Sequence, residues 1–258
     1  MNNGANSQNG PCAFITGAAS GIGLCTARLF LEREWSVVLA DSDAERGQAA
    51  AHELNGNGKV FFVQCDVGRS EDIQRAVSAA IERFGRINVL VNNAALLGPG
   101  DLLSSSDADL EHVLAVDLFG PLCASKYLIN HMIKLGEGTI VNVASISCFT
   151  GSPNYPAYAA SKAGLIGLTR SLARRYARHN VRVNCLCPGS VRDTDLRFRS
   201  TNKRYSADEE LSLMKKIPIG RTLRPREVAE LIYFMASPAA AAMTGSTIVL
   251  DGGEMLGL

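Results

Sequence analysis

An α/β fold, one doubly wound parallel sheet of seven strands with helices on both faces, is what this 258-residue chain predicts. Three observations carry that expectation. Short runs rich in Val, Ile and Phe alternate with longer stretches of helical period along the whole chain. The short runs are apolar without strict alternation, as strands buried on both faces should be. Strand and helix also exchange often enough to require parallel crossovers. No internal repeat or Pro/Ser-rich linker divides the chain, so residues 11–258 read as a single domain, a length that one α/β sheet commonly reaches.

The strands are expected at Cys12–Thr16, Val37–Ala40, Val60–Gln64, Val89–Val91, Thr139–Ala144, Val181–Leu186 and Thr247–Leu250, and helices at Ile22–Glu34, Ser70–Phe84, Leu110–Ile133 and Ala157–Arg178. Residues 1–10, MNNGANSQNG, read as a disordered polar tail without the cationic start and apolar run of a secretory signal. The alternation breaks between Pro188 and about Arg224, where Arg192, Asp193, Asp195, Arg197, Arg199, Lys203 and Arg204 crowd together. A long excursion after a strand's C-terminal end sits where open α/β sheets bind ligands, so about 190–224 reads as a lid.

Composition narrows the function. With 26 Lys+Arg against 25 Asp+Glu the formal charge is +1, and no long basic run offers nucleic acid a footprint. No apolar stretch approaches the ~18 residues that cross a bilayer, so no membrane is expected. The seven cysteines are an odd number, mostly within core-like segments, which suits reduced thiols in the cytoplasm. Cys185-x-Cys187 lacks a second ligand pair at zinc spacing, so no metal is expected.

Chemistry begins at Thr16-Gly17-Ala18-Ala19-Ser20-Gly21-Ile22-Gly23, directly after the first strand and opening a helix. Gly17 suits a tight turn, Gly21 a close backbone approach to a pyrophosphate, and Gly23 close helix packing; the helix N-terminus adds unpaired N–H groups. The second strand ends at Asp41, 18 residues beyond Gly23. A carboxylate there accepts from ribose hydroxyls and repels a 2′-phosphate, and neither Ser20 nor Ser42 is a cation, so NAD(H) is expected over NADP(H). The competing reading of Asp41 is a turn residue.

Tyr158 and Lys162 are four apart in a helical segment and share a face. An ammonium ~4 Å from the phenol is worth about 4 kcal/mol at an effective dielectric near 20. That would bring the phenol's pKa down by ~3 from ~10, into a range suited to proton transfer near neutrality. Ser145 lies 13 residues earlier, at the end of a strand, where its hydroxyl and the helix converge on the ligand crevice. Ser147 is an alternative that chemistry alone leaves open. His52, His112, His131 and His179 sit in helices or at their ends with no nucleophile partner, so an acyl-transfer triad is not read here.

TGAASGIG, NNAA at Asn92–Ala95, Ser145, Tyr158-Ala-Ala-Ser-Lys162, Pro188-Gly189 and the closing Asp251-Gly252-Gly253 together resemble the short-chain dehydrogenase/reductase family, whose fold is of Rossmann type. The resemblance runs from about Pro11 to Gly253. It implies that Tyr158 is the general acid/base, that Lys162 binds the nicotinamide ribose and tunes Tyr158, and that Ser145 positions the reacting oxygen. It further implies Ser20 and Ile22 in the phosphate loop, Asp66 and Val67 beside the adenine, and Asn93 and Ala94 lining the cofactor. Pro188, Gly189, Val191 and Thr194 should meet the nicotinamide end, and the protein should be a homotetramer joined along Leu110–Ile133 and Ala157–Arg178. Two departures stand out. The family usually has Asn where this chain has Asp117, in Val116-Asp117-Leu118-Phe119-Gly120, and Asp193 occupies the usual Thr position, with Thr194 one place later. In relatives that Asn acts largely through its backbone carbonyl, which Asp117 retains.

The resulting expectation is an NAD-dependent alcohol dehydrogenase/ketone reductase acting on a small-molecule secondary alcohol or ketone. By position Leu96, Leu97, Ile146, Ser147, Cys148, Phe149, Asn154 and Tyr155 line a moderately apolar substrate pocket beside Ser145. The alternatives are an NADPH-dependent 3-oxoacyl-carrier reductase, against which Asp41 argues, and a non-catalytic dinucleotide-binding regulator, which would need neither Ser145, Tyr158 nor Lys162. A sugar-nucleotide epimerase is disfavoured by its greater length and different glycine spacing.

Overall fold

The computed structural model describes residues 10–54, 57–194, 196 and 206–257. The tail expected over 1–10 therefore lies outside the described residues except for Gly10, as do Asp195, Arg197, Arg199, Lys203 and Arg204 of the expected lid.

Seven parallel strands form one sheet in the order β3-β2-β1-β4-β5-β6-β7, where β1 is Cys12–Thr16, β2 Ser36–Asp41, β3 Val60–Gln64, β4 Val89–Asn92, β5 Gly138–Val143, β6 Val181–Pro188 and β7 Thr247–Leu250. Successive side chains leave a strand on opposite faces, and the core follows that period: Cys12 and Phe14 of β1 enter one apolar cluster, Ala13 and Ile15 the other. The first cluster is covered by α3 (Ser70–Phe84), α5 (Gly120–Leu135) and α7 (Pro156–Tyr176). The second is covered by α1 (Gly21–Glu32), α2 (Ala44–Leu54) and a later helix, Pro225–Ala236. Both faces being covered is why the strands show no polar side.

The strand order reverses between β1 and β4, so the chain leaves these neighbours in opposite directions and a crevice opens beyond their C-terminal ends. The expected third helix is in fact α4 (Asp107–Leu114), a π turn over Ala115–Phe119, and α5 in one run. This run, Asp107–Leu135, is long and apolar enough by length and composition to cross a bilayer, which corrects the expectation that no stretch comes close. Fully 56% of its most apolar stretch is buried inside the protein, because its apolar stripe packs on α3 and the sheet as a core helix does.

The remaining described α-helices are α6 (Ser147–Thr150), α8 (Ala207–Lys216) and α9, the Pro225–Ala236 helix named above. Arg182 of β6 ties the end of α9 to the sheet: its guanidinium donates to the carbonyls of Met235, Ala240 and Met243 at 2.8–3.1 Å and to Thr139 Oγ1 at 2.9 Å.

Candidate active site

The loop after β1 is forced into its path by close backbone contacts. Gly17 and Gly21 have φ of +63° and +54°, the left-handed region that costs a side chain energy. A Cβ on Gly23 would lie 2.2 Å from the Gly17 carbonyl oxygen, and one on Gly17 2.8 Å from the Ala94 Cα. Asn93 locks the arrangement from the end of β4: its amide donates to the Thr16 carbonyl (2.9 Å) and the Gly17 carbonyl (3.1 Å), while Thr16 Oγ1 accepts from the N–H groups of Asn93 (3.0 Å) and Ala94 (3.1 Å). Ser20, at the N-cap of α1, makes no side-chain capping bond, and the first turn holds no acidic residue. The N–H groups and positive end of α1 thus remain available to an anion.

Asp41 is buried, with Oδ2 accepting from Ala19 N–H at 2.9 Å and Oδ1 from Asp43 N–H at 3.1 Å. The turn reading is therefore half right: one oxygen closes a local turn, and the other braces the glycine loop.

Ser145 stands two residues past β5. Its Oγ accepts from Ser147 N–H at 3.2 Å, and the segment runs beside the end of β6 through Ala144 N–H to Leu186 O (2.7 Å) and Ile146 N–H to Pro188 O (3.0 Å). Pro156 starts α7, so Tyr158 and Lys162 occupy its first two turns, both buried and lining the same cavity as Ser145. Lys162 Nζ donates to the Val143 carbonyl at 3.3 Å, lies 5.4 Å from the Tyr158 ring centre, and meets Asp117 Oδ2 at 3.1 Å.

Asp117 comes from the π turn, where Gly120 N–H reaches back five residues to the Ala115 carbonyl. This wider turn swings the carboxylate inward, and its other oxygen accepts from Leu96 N–H at 2.7 Å. The side chain, not only the backbone carbonyl, is thus engaged. A buried anion costs several kcal/mol unless paired, and Lys162 is its pair.

Electrostatics depart from the sequence expectation. Burial pushes the Tyr158 phenol above its ordinary value; Lys162 pulls it down, Asp117 pushes it up again, and a hydrogen bond from Ser145 pulls it down. The net direction is upward, because desolvating a phenolate outweighs an ammonium that a carboxylate already neutralises. Burial disfavours charged Lys162, yet Asp117 and Tyr158 together hold its pKa above the ordinary lysine value. Burial likewise raises Asp117, opposed by Lys162 and by Leu96 N–H.

These parts surround a cavity of about 530 Å³. Gly17, Ser20, Gly21, Ile22, Asn93 and Ala94 form one wall, Ser145, Tyr158 and Lys162 the floor, and Pro188, Gly189, Val191 and Thr194 the far wall. Thr194 stands over the glycine loop, its Cγ2 3.6 Å from where a Gly21 Cβ would be. Several expected residues do not border the cavity: Gly23 and Asp117 support it from behind, and Asp41, Asp66 and Val67 lie off it, with Asp66 Oδ1 accepting from Gly68 N–H at 2.9 Å. Of the expected substrate pocket only Leu97 and Ser145 reach the cavity. Leu96 packs on the core, Asn154 is exposed, Tyr155 closes a turn onto Ser152, and Ile146 and Ser147 enter α6. The remaining wall, Arg192, Glu210, Leu213, Met214, Arg221 and Thr222, comes from the excursion after β6, much of it from α8. The capping box Ser206-x-x-Glu209 before Leu211, Leu213 and Met214 was the signal that marks that helix.

Residues 17–254 match the family profile described as Enoyl-(Acyl carrier protein) reductase. The chain is 40% identical over 243 residues to a cis-4-hydroxycyclohexanecarboxylate dehydrogenase of Sinomonas cyclohexanicum, covering 93% of this chain and 95% of the relative. It is 38% identical over 245 residues to a 3-oxoacyl-(acyl-carrier-protein) reductase of Chlamydia pneumoniae, covering 95% and 96%. In structure it resembles a 3-ketoacyl-(acyl-carrier-protein) reductase of Brucella melitensis complexed with NADH, at TM-score 0.86 and 30% identity over 96% of this chain and 99% of that one.

Proposed function

Because the chain belongs to the short-chain dehydrogenase/reductase family, whose members are oxidoreductases that use a nicotinamide dinucleotide, we propose that it interconverts a small secondary alcohol and a ketone with NAD(H). The observation that carries this reading is the joint placement of Ser145, Tyr158 and Lys162 in the floor of the cavity whose wall is the glycine loop. The loop suits a dinucleotide: Gly17 and Gly23 leave it room to pack against Ala94 and itself, and the uncapped N–H groups at the start of α1 would hold the phosphates. Asp41, buried between Ala19 and Asp43 at the end of β2, supports NAD(H), since a 2′-phosphate would bring a second negative charge beside its carboxylate.

A bound nicotinamide supplies the hydride acceptor or donor. This chain's residues do the rest. Gly17, Ser20, Gly21 and Ile22 hold the phosphates, Asn93 and Ala94 line the ring's approach, and Pro188, Gly189, Val191 and Thr194 close the far side. Ser145 holds the substrate oxygen by hydrogen bond, and Tyr158 Oη takes that oxygen's proton in oxidation and returns it in reduction. Lys162 stabilises the phenolate form and contacts the ribose, and Asp117 holds Lys162 in place. Burial leaves Tyr158 above its ordinary value, and a cationic nicotinamide ring bound beside it would act with Lys162 to lower it.

The relatives named for carrier-linked 3-oxoacyl reduction favour a second reading, an NADPH-dependent reductase of that class. The hydroxycyclohexanecarboxylate dehydrogenase and Asp41 favour the first. Residues 11–258 act as one catalytic domain in this proposal. The apolar cleft of about 410 Å³ between α5 and α7, lined by Leu122, Ile129, Ile133, Leu168, Leu172 and Tyr176, supports assembly as a homotetramer. Seven free thiols suit the cytoplasm.

The test is a coupled screen of secondary alcohols and ketones with all four coenzyme forms, then Tyr158→Phe on the best substrate. Turnover should vanish in that variant while NADH still binds. NADPH-driven reduction of a 3-oxoacyl carrier thioester, with alcohols inert, would install the second reading.

A further inference from the structure

The C-terminal end of the chain returns to the cavity through one side chain. After β7, Asp251 winds the backbone into a tight turn, with Oδ1 accepting from Gly253 N–H and Oδ2 from Met255 N–H, each at 2.9 Å. The turn presents Glu254 to the segment that leaves β6. Oε2 accepts from Ser190 N–H and Oε1 from the Ser190 hydroxyl, both at 2.8 Å. The contact is tight enough to dictate its neighbour: a Cβ on Gly189 would fall 2.6 Å from Glu254 Oε2 and 2.8 Å from Asp251 Cβ. Elsewhere in the segment Gly189 N–H donates to Leu250 O at 2.9 Å, Ser190 O accepts from Leu223 N–H at 2.8 Å, and the Val191 carbonyl accepts from Thr194 Oγ1 at 3.4 Å.

Gly189, Ser190 and Val191 form the cavity wall that faces Tyr158 and Lys162. We propose that Glu254 is a positioning residue for coenzyme binding: its forked grip on Ser190 sets the path of Gly189–Val191, the segment against which the coenzyme's ring end is held. The inference rests on the reading of this cavity as the dinucleotide site. A carboxylate suits the task because Ser190 offers two donors at once, an N–H and an O–H, and only a two-atom fork meets both. Gln keeps the fork, with its oxygen accepting the N–H and its amide donating to the serine Oγ. Asp is one methylene too short, and Ala leaves both donors unmet.

The test uses the full chain and follows NADH binding by fluorescence, coenzyme KM and kcat, and melting with and without NADH. Glu254→Ala should weaken NADH binding and raise the coenzyme KM about fivefold or more, with kcat within about twofold. Glu254→Gln should stay within about twofold of wild type, and Ser190→Ala, which loses only the hydroxyl half, should fall between them. If Glu254→Ala lowers the melting temperature but binds NADH like the wild type, the residue is a structural tie and the proposal is overturned. Should Glu254→Ala fold too poorly to assay, wild-type binding in Ser190→Ala, or binding as poor in Glu254→Gln as a full loss of the fork predicts, overturns it equally. A wild-type chain that binds neither NADH nor NADPH removes the parent reading instead, an outcome seen before any variant is made.

Discussion

Lys162 and Asp117 meet as a buried ion pair, Nζ to Oδ2 3.1 Å, at the point where α7 crosses the π turn beneath the cavity floor. The same carboxylate holds Leu96 N–H, so one side chain joins the base of α7 to the loop after β4. Asp117 raises the pKa of both Lys162 and Tyr158, which means it partly cancels the ammonium's effect on the phenol.

Asp117→Asn should therefore move the pH dependence of alcohol oxidation. Removing the anion removes a cause that raises Tyr158, so the pH at which kcat/KM rises shifts downward while turnover at neutral pH is kept or increased. The same change leaves Lys162 without its counter-charge, and loss of one partner of a buried pair costs ~3–5 kcal/mol, less here because Asn still accepts from Leu96 N–H. A pH–rate profile beside a melting curve measures both. An abolished reaction would show that the carboxylate has a role of its own.

Stability should fall at alkaline pH. Lys162 and Tyr158 both have folded pKa values above their ordinary ones, so the unfolded chain loses these protons first, near pH ~10–10.4. Their contribution is intact below that range and is lost progressively as pH climbs from it toward the higher folded values. Urea unfolding between about pH 8 and 11 should show the decline, and Tyr158→Phe should show a shallower one. A slope unchanged by the substitution would mean that other groups govern it.

Asp41→Ala should relax coenzyme choice. The ratio of kcat/KM for NADH over NADPH is expected to drop about tenfold or more, because the ribose loses an acceptor and a 2′-phosphate loses a repulsive neighbour. Overall efficiency should also decline, since Ala19 N–H loses its partner at 2.9 Å. An unaltered ratio would leave Asp41 only its part in bracing the loop.

Gly23→Ala should damage fold and binding together. The new methyl would meet the Gly17 carbonyl at 2.2 Å, and the obstacle is backbone held by Asn93, so neither side can yield cheaply. Overpacking of this kind costs typically ~1–3 kcal/mol, or ~2–4 °C in melting temperature per kcal/mol for a large domain. Calorimetry with and without NADH separates the two effects.

Much of this was legible in the sequence because it depends on local pattern. The seven strands fall within two residues of their expected limits, since an apolar run between turn residues has few other options, and the glycine loop, Ser145, Tyr158 and Lys162 converge because parallel strands send their following loops to one edge. What escaped depends on contacts between distant segments. That Asp117 would reach Lys162 rests on a π turn that no period announces. That the second oxygen of Asp41 would brace Ala19, 22 residues away, needs the packed loop. The expected pocket drew on Leu96, Leu97 and the stretch after Ser145, whereas Leu213 and Met214 reach the cavity wall on a helix that follows an unpatterned stretch.

The five-residue turn at Ala115–Phe119 also constrains how the gene can change. Each residue advances an α-helix by about 100°, and the five residues of this wider turn sweep roughly the arc of four in an α turn, so deleting one there would restore continuous helix and leave everything after it on the same face. Cys123, Leu128 and Met132 would stay on the sheet, while Asp117 would lose the bulge that carries it to its lysine. A single-codon deletion in this stretch should accordingly spare the packing of α5 and break the buried ion pair beside it.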